Sequence, residues 1–442
     1  MTTTHALYLS QNKTQTSPED LIKALSPDQI SNFFLFKKFL NYSFAHTLGN
    51  EFWTRPAEKI IPEILALWEF IQKRDKNEIH VRIFNPSIEK EGFESDYTFS
   101  MISQAEAPFV NDSVQIALNN FQQETFFILN IANLCTVRND QGELLDIVNG
   151  PEQFPLDYSI ESISLLKISK QFSLEKITSL QNYLLQVLQE AHIAFQDQMR
   201  MREKLNNIIH NLTPSSQSES YLAEQLKETI AFLTWLLEDH FYFLGYREYA
   251  VDTKKNDPEI KLISGSGLGL LSDETNATKT RSFSSLPQEA QRLADAKFPL
   301  VITKTNTKSH LYRDTYTDYI SIKIYDSAHQ VIGEHRFIGL FLPGAYNNSI
   351  MEIPYLRKKA TQLLRAAKKE QIGYSAQKLL NILETFPRDD LFQTDSEELY
   401  VIMLTILSIY ERSSTRLILR KDAYGRFYSC LVYLPKEKIT SS

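Results

Sequence analysis

The chain of 442 residues is long enough for about three domains of typical size. With 43% hydrophobic and 12% aromatic residues it can build several packed cores, which excludes a disordered scaffold. Its net charge of −7 provides no overall basic field of the kind that attracts nucleic acid. Two cysteines are too few for a disulfide framework, and the sequence shows neither a membrane-length apolar run nor a signal-peptide pattern. We therefore expect a soluble, cytoplasmic, multidomain protein that binds neither nucleic acid nor a membrane.

Residues 1–75 predict a helical lead-in. Ser17 directly precedes Pro18, which places a capping hydroxyl before proline at the first helical position. Residues 56–74 then carry one apolar stripe at helical spacing. The stripe consists of Ile60, Ile61, Ile64, Leu65, Trp68 and Ile71. Packing, rather than ligand contact, is the favoured role of its tryptophan.

Residues 76–210 change to a pattern of strands and helices. The predicted strands are residues 78–84, 97–103, 125–137, 143–148 and 160–169, and the predicted helices are residues 111–121 and 173–206. Strand, helix, two or three strands and helix is the order of a ferredoxin-like α+β sandwich. We therefore predict an α+β domain here.

Residues 211–220 are rich in Ser, Thr and Gln and form the predicted linker. A helix ending near His240 follows, and strand patterns dominate from there to residue 345. The predicted strands are residues 241–251, 259–264, 299–305, 316–326 and 330–342. Residues 221–345 therefore predict a mostly antiparallel sheet with one or two helices laid across it.

The C-terminal part begins with a helical connector over residues 346–395. Residues 396–412 predict one more helix, and residues 416–420 and 426–434 predict a hairpin. A helix with one hairpin is too small to fold independently. We therefore expect the sequence to end inside a domain, which begins at residue 396.

No catalytic constellation is recognisable in the sequence. Residues 265–269, Gly-Ser-Gly-Leu-Gly, are the only glycine cluster, and neither a dinucleotide fingerprint nor a P-loop occurs. The residues after the cluster do not continue as a helix that would hold a phosphate, so a turn between strands is favoured. Cys135 and Cys430 have no histidine nearby in sequence and are interpreted as buried hydrophobic residues. We predict no catalytic residue, no metal ligand and no cofactor-binding residue.

Asn111, Asp112 and Ser113 are the candidate effector-binding residues. They lie where a strand leads into a helix N-terminus, and free backbone amides there can bind the carboxylate of a small metabolite. The alternative is simple helix capping by Asp112.

Four cationic residues between two predicted strands are a second candidate, for contact with an anion or a protein partner. They are Lys304, Lys308, His310 and Arg313. The alternative is a solvated cationic loop.

Several long segments occur in one order along the chain and carry a family resemblance. They are YTFSMIS followed by APFVNDSVQIAL, WLLEDHFYFLGYREY, GSGLGLL, LVITKTNTKSHLYRDTYTDYISIK, VIGEHRFIGLFLPGAY, EIPYLRKK, LLNILETFPRDDLFQ and RKDAYGRFYSCLVYLP. Together they resemble the N-terminal half of the large bacterial NAD-specific glutamate dehydrogenases. The resemblance covers most of residues 66–435 and is strongest over residues 235–393.

This resemblance implies a fold and a function. Full-length members convert L-glutamate to 2-oxoglutarate and ammonia with NAD, and their N-terminal halves carry ACT-like and PAS-like modules joined by helical segments. The resemblance implies an ACT-like domain at 76–210, a PAS-like domain at 221–345 and the truncated start of a second ACT-like unit at 396–442. The dehydrogenase domain comes later in such chains. We therefore expect no cofactor in this chain and no activity from it alone.

The implied partners are further copies of the chain in a homo-oligomer, a glutamate dehydrogenase catalytic domain and an amino-acid effector. An ACT fold needs a strand after its second helix, and residues 78–84 are the candidate to take that place in a permuted arrangement. Two functions stay open. The chain is either a regulatory and assembly portion whose ligand shifts the attached catalytic domain, or an oligomerisation scaffold that binds no small molecule. A ligand would stabilise the first, whereas the stability of the second would depend on protein concentration.

Overall fold

The computed structural model describes residues 16–148, 158–212, 220–252, 257–275, 277, 280–285, 291, 299–326, 330–369, 375–412, 415–421 and 427–434. The chain divides into two compact units. The first comprises Met1–His192 and His310–Asp314, and the second comprises Ile193–Ser309 and Thr315–Ser442. Each unit combines antiparallel strands with helices, so the fold is α+β and multidomain, as predicted.

Helices α1 (Pro18–Lys23), α2 (Phe33–His46) and α3 (Ala57–Ile71) open the first unit. The predicted cap of α1 is confirmed. The Ser17 hydroxyl accepts a hydrogen bond from the amide of Asp20, and the Asp20 carboxylate accepts one from the amide of Ser17. This reciprocal pair satisfies two amides that the helix itself cannot.

Five antiparallel strands form the first sheet in the order β1-β2-β5-β3-β4. They are β1 (His80–Phe84), β2 (Thr98–Ala105), β3 (Thr125–Arg138), β4 (Leu144–Val148) and β5 (Ser159–Ile168). Strand β1 pairs with the outer edge of β2, which is the place of the strand that follows the second helix in a ferredoxin-like order. The permuted arrangement predicted for residues 78–84 is therefore confirmed.

The first sheet has helices on both faces. Alternate strand residues such as Met101 and Leu165 share one hydrophobic core with α2 and α3, including the predicted stripe residue Trp68. The other face carries α5 (Val110–Asn120) and α6 (Leu174–Gln196). The predicted lead-in thus packs into the same core as the sheet. A short helix, α4 (Ile88–Glu91), forms part of the connection from β1 to β2 in the sequence.

The predicted continuous helix over residues 173–206 is two helices, so that prediction was wrong. Helix α6 ends at Gln196 and α7 (Gln198–Asn211) begins after Asp197. The Asp197 carboxylate accepts a hydrogen bond from the amide of Gly269 at 2.7 Å. The two residues are 72 positions apart in sequence, and their contact fixes the chain where α6 ends and α7 begins. The apolar periodicity of the helical segment gives no sign of this contact.

The second unit contains a seven-stranded antiparallel sheet in the order β10-β11-β12-β6-β7-β9, with β8 paired to β6. Its strands are β6 (Phe241–Asp252), β7 (Glu259–Leu262), β8 (Leu268–Gly269), β9 (Thr280–Ser282), β10 (Leu300–Lys308), β11 (Tyr316–Tyr325) and β12 (Val331–Phe341). Helix α8 (Ser220–Trp235) precedes it. The predicted antiparallel sheet is confirmed, while its PAS-like assignment stays a prediction. Residues 213–219 of the predicted linker lie outside the described residues.

The second unit ends with helices and a two-stranded sheet. The helices are α9 (Pro343–Asn347), α10 (Leu356–Lys369), α11 (Ser375–Thr385), α12 (Arg388–Gln393) and α13 (Ser396–Arg412). The predicted C-terminal hairpin is present as β13 (Arg416–Lys421) and β14 (Tyr428–Tyr433). In the part of the chain that the structure describes, no helix is long and apolar enough to cross a membrane.

Candidate functional site

The loop between β2 and α5 is held at its first residue, Glu106. The amide of Glu106 donates to the carbonyl of Ile160, and the Glu106 carboxylate accepts from the amide of Asn133 at 3.0 Å. Phe109 then occupies the N-cap position of α5 with φ of 61°, and no side chain caps the helix. A left-handed conformation of a bulky residue is strained by about 1–3 kcal/mol. The first amides of α5 are therefore presented without a side-chain acceptor.

The three predicted effector-binding residues have different surroundings. Asn111 and Asp112 are exposed, whereas Ser113 is buried. The Ser113 hydroxyl donates to the carbonyl of Phe109 at 2.7 Å, so it is engaged within the helix turn. Partial burial raises the pKa of the Asp112 carboxyl above its usual value. Asn111 and Asp112 remain accessible to a ligand, and Ser113 supports the turn.

A buried polar patch lies on the sheet face beneath α5. Ser164 donates to the side-chain oxygen of Asn130 at 2.9 Å and lies 3.5 Å from that of Asn111. Gln104 on β2 lies opposite Ser162 on β5, which is two positions from Ser164, and both residues are buried. Sheet residues that face helices are usually apolar. These polar residues give the N-terminal end of α5 a surface that can form hydrogen bonds.

Two of the four predicted cationic residues belong to the first unit. His310 Nδ1 lies 3.2 Å from the hydroxyl of Tyr183, and the Arg313 guanidinium lies 5.3 Å from the ring centroid of Tyr312. The Tyr312 ring in turn lies 4.2 Å from that of Phe109. The sequence prediction missed Tyr312, although it lies between His310 and Arg313 in sequence. Tyr183 and Phe109 are distant in sequence, and only the fold brings them close.

Lys304 and Lys308 belong to the second unit. The ammonium of Lys304 lies 2.7 Å from Asp318 and 3.2 Å from Asp389, with its side chain 5% exposed. The two carboxylates keep Lys304 protonated and raise its pKa against the opposing effect of burial. Lys304 therefore does not offer its charge to an incoming anion, which corrects that part of the prediction. Lys308 is exposed at the end of β10.

A buried ionic cluster in the first unit was not predicted. Glu161 on β5 lies 2.7 Å from Arg74 and 2.8 Å from Arg138, and its side chain is 0% exposed. Thr136 also donates to this carboxylate at 2.6 Å. Although burial opposes ionisation, the two guanidinium groups and their hydrogen bonds lower the pKa of Glu161 to about 2. The residues are 23 and 87 positions apart in sequence, so spacing alone gives no sign of them.

Lys359 forms a second buried contact that was not predicted. Its ammonium donates to the carbonyls of Leu391, Phe392 and Thr394 at 2.7–3.0 Å. These carbonyls lie at the C-terminal end of α12, where helix carbonyls lack intrahelical partners. Burial lowers the pKa of Lys359 to about 7. The three protons of the ammonium thus have three carbonyl acceptors, and the arrangement caps the helix.

No group of three or more His, Cys, Asp or Glu side chains in the described ranges is placed to hold a metal ion.

Three family models match the chain. The model "Glutamate dehydrogenase, ACT1 domain" matches residues 39–184. The model "Glutamate dehydrogenase, helical motif 1" matches residues 353–412, and "Glutamate dehydrogenase, ACT2 domain" matches residues 416–442. The first match thus begins inside α2, and the last covers the C-terminal hairpin.

Curated relatives show the same similarity over most of the chain. The NAD-specific glutamate dehydrogenase of Halomonas elongata is 34% identical over 373 residues, and that of Pseudomonas aeruginosa is 33% identical over 376 residues. Each alignment covers 84% of this chain and 23% of the relative. The Mycobacterium tuberculosis enzyme of the same name is 27% identical over 52% of this chain and 13% of its own length. The chain therefore spans about a quarter of the curated relatives it matches, rather than the half that its sequence suggested. With its ACT1, helical-motif and ACT2 regions in order, the chain belongs to the family of large NAD-specific glutamate dehydrogenases and corresponds to an N-terminal portion of them.

Proposed function

We propose that this chain is the regulatory and assembly portion of an NAD-specific glutamate dehydrogenase. In this proposal an amino acid binds to the ACT-like domain, and the dehydrogenation takes place on a catalytic domain that this portion controls. The relatives are named for NAD-specific glutamate dehydrogenase activity, and the matched regions carry the family's ACT-domain names.

The buried polar patch next to the N-terminus of α5 is the observation that carries the proposal. The uncapped amides of α5 favour a carboxylate, because the helix dipole places positive charge there. The exposed carboxylate of Asp112 favours an ammonium group close by. Asn111 and Ser164 add side-chain oxygens on the sheet side. A free amino acid presents a carboxylate and an ammonium on one carbon, which matches this pairing.

Such a site regulates only if the ligand binds one conformation of the portion more tightly than another. The coupling free energy is then the difference between the two binding free energies, typically about 1–3 kcal/mol. Phe109, with its strained backbone, lies at the start of α5, directly beside the amides that would bind the carboxylate.

A thermal-shift screen of the pure chain against amino acids and 2-oxo acids tests the proposal. A ligand at about one hundred times its Kd stabilises by about 2.7 kcal/mol, which raises Tm by about 5–10 °C for a unit of this size. Asp112→Asn should remove the shift, because it removes the partner of the ammonium. Asp96→Asn, at another exposed aspartate before β2, is the matched control and should keep it.

The competing function is an oligomerisation scaffold that binds no small molecule. Its sign would be a Tm that rises with protein concentration while no amino acid shifts it. We also expect no NADH from the pure chain with glutamate and NAD. NADH production that purifies with the chain would contradict the assignment of catalysis to another domain.

A further inference from the structure

Residues His310–Asp314 belong to the first unit and lie in the connection from β10 to β11. We call this segment the strap. The amide of Ser309 donates to the carbonyl of Thr315 at 2.8 Å, which holds the two ends of the strap together. Within it, the amide of Arg313 donates to the carbonyl of Leu311 at 2.7 Å. The strap is therefore a closed turn rather than an extended connection.

The residue at the centre of this turn has an unusual backbone. Tyr312 has φ of 63°, and Phe109, at the start of α5, has φ of 61°. Bulky residues rarely adopt this left-handed conformation. Among the described residues only one other aromatic residue does so, Tyr355. The rings of Phe109 and Tyr312 are in contact, with centroids 4.2 Å apart. Such conformations persist only where the surroundings hold them, and they concentrate at ligand sites and switch regions.

A chain of hydrogen bonds joins the strap to the first peptide group of α5. The amide of Tyr312 donates to the Ser113 hydroxyl at 3.4 Å, and this hydroxyl donates to the carbonyl of Phe109 at 2.7 Å. The carbonyl of Phe109 and the amide of Val110 belong to one peptide group, and Val110 is the first residue of α5. The chain therefore ends on a peptide group whose N–H is one of the amides proposed to bind a carboxylate.

The shared peptide group determines the direction of the coupling. A carboxylate that accepts from the amide of Val110 polarises this peptide group and makes the Phe109 carbonyl a stronger acceptor. The hydrogen bond from Ser113 is then strengthened, and through it the hydrogen bond from Tyr312. A bound carboxylate and a strap in contact with α5 therefore stabilise one another. Because coupling between two sites is reciprocal, the strap raises the affinity for the ligand by the same factor.

The strap is also connected to the other end of α5. Nδ1 of His310 lies 3.2 Å from the hydroxyl of Tyr183. The ring of Tyr183 lies 5.0 Å from that of Phe121, and its hydroxyl accepts a hydrogen bond from Asn120 at 3.4 Å. The strap thus contacts the start of α5 directly and the end of α5 through Tyr183.

We propose that Tyr312 is a positioning residue of the proposed amino-acid site and that a bound amino acid fixes the strap on α5. The strap holds Phe109 and Ser113 in the conformation that presents the first amides of α5, and the ligand holds the strap in turn. Because the strap joins β10 to β11, occupancy of the site reaches these strands through the continuous chain. This inference rests on the proposed function and deepens it, since it names the element that regulates the site.

Titration calorimetry and hydrogen exchange of the full chain test the proposal, with each proteinogenic amino acid in turn as the probe. A saturating amino acid should slow exchange of the Tyr312 amide in the wild type at least about fivefold. Tyr312→Ala removes the ring contact with Phe109 and should weaken binding of the same amino acid at least about fivefold. Tyr312→Phe keeps the ring and should retain the wild-type affinity.

Two further variants separate the hydrogen-bond chain from general effects of losing an aromatic contact. Ser113→Ala breaks the chain and should speed exchange of the Tyr312 amide at least about tenfold without ligand. Tyr97→Ala is the matched control, because Tyr97 forms a similar ring pair with Phe126 in the same unit, with centroids 5.0 Å apart. This variant should bind the amino acid with wild-type affinity.

The outcomes distinguish this inference from the proposed function. An amino acid that binds wild type and Tyr312→Ala equally well, or that leaves exchange of the Tyr312 amide unchanged, would overturn the role of the strap and leave the proposed function intact. Wild-type exchange of this amide in Ser113→Ala would also overturn it. If no amino acid binds the wild type, the proposed function fails and this inference fails with it.

Discussion

Replacing Glu161 by Gln should strongly destabilise the first unit. The substitution keeps the shape of the side chain and removes its charge, leaving Arg74 and Arg138 without a counter-charge. These side chains are 0% and 7% exposed, so water cannot replace the carboxylate. Removal of one partner of a buried ion pair typically costs about 3–5 kcal/mol.

The pKa of Glu161 gives a second estimate of the same magnitude. Its value of about 2 in the folded chain lies well below the usual glutamate value of 4.5. At about 1.4 kcal/mol for each pKa unit, this difference corresponds to about 3.5 kcal/mol of stability at neutral pH. That magnitude lies within the range typical of buried ion pairs.

The pKa difference also fixes the direction of the pH dependence. The folded pKa is below the unfolded one, so the unfolded chain binds more protons as pH falls from about 5 to about 2. The contribution of Glu161 is therefore complete above about pH 5 and is lost through this window. Glu161→Gln should lack this component, so the stability difference between wild type and variant should shrink as the pH falls.

Hydrogen exchange of the β5 amides measures the opening free energy of the first unit within the intact chain. Urea unfolding of wild type and variant across pH 3–7 provides the titration. Glu69→Gln is the matched control, because Glu69 is exposed on α3, and should change stability by no more than about 0.5 kcal/mol. A loss below about 1 kcal/mol for Glu161→Gln at pH 7, or a difference that does not vary with pH, would refute the reasoning.

Three further substitutions test other buried charges. Asp390→Asn removes the charged partner of Arg420. Amide exchange in β13 and β14 should become about 100-fold faster, which is equivalent to about 3 kcal/mol. Exchange at the wild-type rate would show that apolar packing alone holds the hairpin. Lys359→Met removes the donor to three carbonyls at the end of α12 and should lower the free energy of unfolding of the second unit by about 2–4 kcal/mol. The urea midpoint should fall accordingly, and an unchanged midpoint would reject this expectation. Glu63→Gln leaves Lys167 buried beside a neutral amide and should lower the stability of the first unit by about 3 kcal/mol. Amide exchange of β5 measures this loss, and exchange at the wild-type rate would contradict the expectation.

The sequence was sufficient to predict the helices and strands that depend on residues close together in the chain. The cap at Ser17 and the stripe of α3 depend on residues within one or two helical turns, and both are present in the structure. The longer strands of both sheets follow from alternation, whereas the short strands β8 and β9 were not predicted. The antiparallel pairing of β11 with β12 follows from the short connection between them. The position of β1 in the sheet could also be predicted, because the ferredoxin-like order needs a strand after its second helix and none was predicted there.

Features that depend on distant contacts could not be inferred in this way. The break at Asp197 is held by the amide of Gly269, and the burial of Lys304 depends on Asp389 on another element. At the candidate site, the spacing around Asn111 indicated a helix N-terminus. The polar patch beneath it comes from β2, β3 and β5, which pair only in the folded sheet.

The buried charges also determine which faces of the strands point outward. A strand that slips by one residue turns every side chain to the other face. For β13 such a slip, or a flip of the hairpin to bury Leu417 and Leu419, would carry Arg420 away from Asp390. Separating that pair typically costs about 3–5 kcal/mol, and the flip would also uncover Ile418 and Leu431. Burying Leu417 and Leu419 would contribute about 1.5–3 kcal/mol each, so the apolar changes on the two faces offset one another and the ion pair decides the orientation. Because Ser429 also donates to Asp390 at 2.9 Å, both strands are held in the same orientation. The two contacts to Asp390 therefore fix which face of each strand points toward the core of the second unit.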